Sequence, residues 1–108
     1  MDDATYYLIS IFLKPGKEDE LRRYEKQAEP IMRKYGGEFV MVLRPTDTGQ
    51  THAPDEIHIL RFETADGFVS FRDDPLVIQL RSVRDDAVEK VSVLELKYWP
   101  LGSYFGGA

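Results

Sequence analysis

The chain has 108 residues, of which 43% are hydrophobic and 31% charged, with a formal charge of −5 and no cysteine. That length and composition describe one folded domain with a thin core. The acidic balance argues against nucleic acid as a partner, and the missing cysteines exclude disulfides, thiolate catalysis and sulfur-ligated metals. The opening MDDAT is acidic where a secretory leader would be basic, and no apolar run reaches the ~20 residues that span a bilayer. No membrane partner and a cytoplasmic location are therefore expected.

The first predicted strand, TYYLISIFL over residues 5–13, carries Tyr7, Ile9, Ile11 and Leu13 on one side and Tyr6, Leu8, Ser10 and Phe12 on the other, so both sides ask to be covered. A Pro-Gly turn follows. Acidic Glu18, Asp19 and Glu20 then suit a helix start, and Gly36 and Gly37 suit its end. Between them Leu21, Tyr24, Ala28, Ile31 and Tyr35 form an apolar stripe, with Arg22, Arg23, Glu25 and Lys26 expected on the solvated face. A second strand spans Glu38 to Pro45, with Phe39, Met41 and Leu43 on one side and Val40, Val42 and Arg44 on the other. After the loop TDTGQTHAP a third strand, DEIHILRFE, sets Ile57, Ile59 and Arg61 against His58, Leu60 and Phe62. Thr64 is the expected cap of a helix that points Phe68 and Phe71 inward, and Pro75 the first residue of another over PLVIQLRSVRDDAVE. KVSVLELKYW is the last strand, ahead of an aromatic and glycine-rich tail at residues 99–108; residues 5–98 make the core of a single domain.

Strand, helix, strand, strand, helix, strand is the order of an α+β ferredoxin-like βαββαβ fold, a four-stranded antiparallel sheet with its helices on one face. The other face is then bare and apolar. The expected cover is a second copy packed sheet to sheet, giving a homodimer; the alternative is cover by the chain's own tail.

These features resemble the dimeric α/β-barrel superfamily. Within it the chain is most similar to domain of unknown function family 1330, through AEPI followed by YGG at residues 28–37, FET closing the third strand, and FRDDP at residues 71–75 with Arg84 nine residues after the proline. NIPSNAP-like proteins, which share the Y…KPG…YG frame, are the second resemblance. The superfamily includes small monooxygenases that oxidise aromatic rings or haem without a conventional cofactor. Its haem-degrading branch uses an Asn on the first strand, a Trp at the end of the third and a His in the second helical region. This chain has no asparagine, has Phe62 at the strand end, and has histidines only at 52 and 58.

Two constellations are candidates for a site. On the open side, Ser10, Arg44, Arg61 and Glu95 are expected one per strand, with Arg61 and Glu95 meeting across Ser10, either as an anchor for a ligand carboxylate or enolate or as an ion pair that sets the dimer. On the helix side His58 lies near Phe62, Tyr7, Tyr24 and Tyr35, either as an acid or base in an aromatic pocket or as a packed strand residue. His52, Asp55, Glu56 and His58 have poor spacing for a metal. There is no phosphate loop, dinucleotide fingerprint or Ser-His-Asp spacing, so no cofactor is expected. Tyr98, Trp99, Tyr104 and Phe105 in the tail suit packing or a lid. The functional expectation is a small apolar or aromatic organic ligand, either simply bound or oxidised or isomerised without a cofactor at His58 and the tyrosines.

Overall fold

The computed structural model describes residues 4–46 and 52–106. Strand β1 (Thr5–Leu13) leads through the Pro-Gly turn into helix α1 (Glu18–Lys34), and then come β2 (Gly37–Leu43) and β3 (Glu56–Phe62). Helices α2 (Ala65–Asp73) and α3 (Pro75–Ala87) precede β4 (Val88–Lys97), and a single turn, α4 (Leu101–Tyr104), lies in the tail. The strands run antiparallel in the order β2-β3-β1-β4. This is the ferredoxin-like arrangement expected from the alternating strand patterns.

Local chemistry sets the helix ends. Glu18, Asp19 and Glu20 in the first turn of α1, and Arg33 and Lys34 in its last, complement the helix dipole, and Gly36 closes it at φ +78°. The Thr64 side chain accepts from the Gly67 amide to cap α2. Asp74 caps α3 by accepting from the Leu76 amide at 2.8 Å and also takes the Tyr35 hydroxyl at 2.6 Å, which ties the end of α1 to the start of α3. Helix α3 stops two residues earlier than its sequence suggested, because Val88 turns extended and joins the sheet.

The core lies between one face of the sheet and the helices. Tyr7, Ile11, Leu60 and Phe62 from the sheet pack against Leu21, Tyr24, Ala28, Met32, Phe68, Phe71 and Val77. The Tyr7 ring stacks on Phe68 with centroids 3.8 Å apart, and Phe62 meets Phe68 edge-on at 5.3 Å. Gly37 has no room for a side chain: an added Cβ would sit 2.4 Å from the Phe62 ring and 2.7 Å from Met32 Cγ.

Among the described residues no helix packs over the opposite face. Leu8, Ile57 and Ile59 are only partly buried, and Met41, Leu43 and Leu94 are exposed. The tail leaves the sheet beside Tyr6, whose ring is 6.2 Å from that of Tyr98. Beyond that point Trp99, Tyr104 and Phe105 contact one another while staying mostly exposed.

The Gly37 contact makes a direct test of the core. Gly37→Ala is expected to destabilise the protein by about 1–3 kcal/mol, the usual range for overpacking. Gly102→Ala, where an added Cβ meets nothing, should change little. Urea denaturation of both variants checks the difference.

Candidate functional site

Between the helices and the sheet is a cavity of about 360 Å³, a size suited to a small organic molecule. Its apolar lining includes Ile9 and Ile11 from β1, Ala28 and Met32 from α1, Phe71 from α2 and Val91 from β4. Polar groups enter from three directions: His58 from β3, Tyr24 and Glu25 from α1, and Arg72, Arg81 and Arg84 from α2 and α3.

His58 is almost fully buried and held by a neighbour on its own strand. Its Nε2 lies 2.7 Å from Glu56 Oε1. Glu56 is buried too, and Arg22 donates to both of its oxygens at 3.2 and 2.8 Å, with Arg44 at 3.4 Å. Burial works to raise the Glu56 pKa, but the hydrogen bonds from His58 and Arg22 outweigh it, and the group stays below its ordinary value. An ionised Glu56 accepts, so in the neutral imidazole Nε2 carries the proton and Nδ1 presents its lone pair. Nδ1 faces Glu25, whose Oε1 is 3.7 Å away.

Glu25 has the opposite environment. Burial first, and then the charge on Glu56, lifts its pKa from 4.5 to about 7 against the pull of Arg84 and Arg22. A carboxyl group that holds its proton near neutrality thus stands beside an imidazole nitrogen. The Phe39 ring meets His58 edge-on at 5.4 Å, and Arg84 lies over Tyr24 with its carbon 5.9 Å from the ring centroid.

The expected site residues divide accordingly. His58 and Tyr24 do come together in the cavity. Tyr7 and Phe62 are core residues beside it; burial and then the Glu95 hydrogen bond raise the Tyr7 pKa to about 12. Tyr35 instead serves Asp74.

The expected meeting of Arg61 and Glu95 on the open face is incorrect. Glu95 pairs with Tyr7 in the sheet register and accepts the Tyr7 hydroxyl at 3.1 Å, which places it on the helix side. Arg61 is opposite Tyr6 on the other face, 3.9 Å from Glu38. Arg44 also lies on the helix side rather than on the open face expected for it. A register shift in β2 between Phe39 and Met41 turns Val42 toward the side of His58, and Arg44 reaches Glu56 and Glu18.

Glu25, assigned to the solvated face from the sequence, lines the cavity with its side chain 20% exposed. Its spacing held the signal, since it stands four residues after Leu21 and three before Ala28, both buried. Among the described residues no group of three His, Asp or Glu side chains is arranged to hold a metal. No helix among them is long and apolar enough to cross a membrane.

A four-stranded antiparallel sheet with its helices packed on one face defines an α+β protein of ferredoxin-like fold. The chain belongs to the family described as Domain of unknown function (DUF1330), whose model matches residues 5–95. That is the first of the two resemblances read from the sequence.

Solved structures share the fold. A protein of unknown function from Rhodopseudomonas palustris is 19% identical with a TM-score of 0.78, covering 93% of this chain and 85% of that one. A dabb family protein with a ferredoxin-like fold from Mesorhizobium loti is 17% identical at a TM-score of 0.66, covering 90% and 98%. A putative antibiotic biosynthesis monooxygenase from Bordetella bronchiseptica is 21% identical at 0.68, also covering 90% and 98%. At these identities the likeness is one of fold. No curated protein matches the chain.

The Glu25 environment has a consequence for stability. Its folded pKa is raised, so its contribution is fully present below about pH 4.5 and is lost as pH rises through about 7. Glu25→Gln keeps a neutral group there. The variant should gain on the wild type between pH 5 and 8, by at most about 3 kcal/mol. Urea unfolding at both pH values measures the gap, and parallel pH profiles would show that Glu25 is not protonated in the fold.

Proposed function

We propose that this protein binds a small, mainly apolar organic molecule in the cavity between its helices and sheet, and that His58 and Glu25 move a proton on that molecule. The observation that supports the reading is the line Glu56–His58–Glu25, whose last two members open onto a cavity with an apolar floor of Ile9, Ile11, Leu60 and Val91. Ionised Glu56 fixes the ring and its tautomer, as a carboxylate does for a catalytic histidine elsewhere. Nδ1 is then the base and the Glu25 carboxyl the acid. A base and an acid side by side suit keto–enol isomerisation, in which a proton leaves carbon and another is returned to oxygen with no net oxidation. Such a step uses groups this chain itself supplies. Cofactor-independent oxidation of an aromatic ring is the second outcome that the same assay detects.

A screen of small phenols, quinols, lactones and enolisable aryl ketones, followed by proton NMR in D2O and by oxygen uptake, tests the reading. His58→Ala should lower turnover by on the order of 100-fold or more, the usual contribution of a positioned acid or base. Glu25→Gln should change the pH dependence near 7. Equal rates for wild type and His58→Ala would remove His58 from the mechanism.

The cavity needs a stable sheet beneath it, and we propose that a second copy covers the open face. Its residues are mostly apolar, with Arg61 and Glu38 paired near one end. Four strands at about 4.8 Å spacing and about 3.3 Å per residue cover roughly 500 Å² in projection. With side-chain relief that approaches the ~800 Å² per partner of a standard interface. Leu8→Asp is expected to turn a dimer into monomer or unfolded chain in light scattering. A wild type that is monomeric at micromolar concentration would refute the proposal.

A further inference from the structure

Three arginines line the cavity, and they are not equivalent. Arg84 is paired with Asp85 at 3.2 Å. Arg72 and Arg81 form no ion pair among the described residues. Both are nevertheless held in place. Arg81 Nη2 donates to the Arg72 carbonyl at 2.6 Å, and the Arg72 guanidinium lies 5.5 Å from the centroid of the Phe68 ring. Arg72 is exposed and Arg81 half-buried, so this pair marks the solvent side of a cavity whose inner residues, Leu60, Phe71 and Val77, are buried.

Two tethered guanidinium groups without a carboxylate, on a chain of net charge −5, form a local positive site in an acidic protein. We infer that the cavity's ligand carries a carboxylate, received at the mouth by Arg72 and Arg81 while its apolar body reaches inward toward His58. The planar fork of a guanidinium matches a carboxylate in two-point contact, and an anchor at one end would fix which carbon faces Nδ1. Arg72 and Arg81 are thus specificity residues rather than participants in proton transfer. The inference rests on the reading of the cavity as a ligand site.

The test compares phenylacetate with phenylacetamide, which has the same body and no charge. Binding is followed by methyl NMR of Ile9, Ile11, Val77 and Val91. The wild type is expected to bind phenylacetate about tenfold more tightly, with a preference that shrinks as salt is raised. An Arg72→Gln, Arg81→Gln double variant should bind the acid no better than the amide. Equal affinity of the wild type for both probes, or a preference intact in the double variant, would overturn the inference and leave the cavity reading standing. If neither probe perturbs the cavity methyls, both fall. The wild-type comparison and its salt dependence decide the matter even if the double variant does not fold.

Discussion

A carboxylate without access to water is the constraint on which this structure depends. Glu56 is 1% exposed at the start of β3, and an isolated charge there would be costly enough to unfold so small a domain. Arg22 from α1 and His58 from the same strand satisfy it. The Arg22 bonds join the first helix to the start of β3. The His58 bond aligns its ring with the second nitrogen toward Glu25. One set of hydrogen bonds therefore serves both the packing of α1 and the chemistry of the cavity.

The two glutamates next to His58 show how neighbours separate like groups. Glu56 has the imidazole and an arginine as donors and remains charged; Glu25 has little water and the Glu56 charge nearby, so it retains its proton to about pH 7. Moving the donors would exchange the roles. The monooxygenase-type neighbour has the same fold at 21% identity, and a shared sheet places no particular residue in this cavity.

The sequence revealed the fold because its signals are local: alternation in the strands, Thr64 as a cap, Pro75 opening α3, Gly36 past the end of α1. It also revealed His58, since the alternation of β3 puts that residue with Leu60 and Phe62. Parity failed in two strands for different reasons. In β2 an irregular register turned Arg44 to the other face, which no count of alternating residues anticipates. In β4 the more apolar side was assigned to the helices, yet Ser92, Leu94 and Leu96 face outward and Glu95 inward, because the Tyr7 hydroxyl supplies Glu95 with a partner that composition does not show. Arg72, Arg81 and Arg84 were invisible as site residues: their importance depends on how α2 and α3 sit over the sheet, which is set by tertiary packing.

The tail has a consequence for spectroscopy. The chain's single tryptophan is Trp99, 66% exposed and outside the core, whereas buried Tyr7 and Tyr24 belong to the packed interior. Indole emission from this protein thus reports the surroundings of residues 98–105, while the melting of the helix–sheet core registers in the tyrosines. A fluorescence transition excited at the red edge, where tyrosine does not absorb, would follow what touches the tail and could leave the unfolding of the domain itself almost silent.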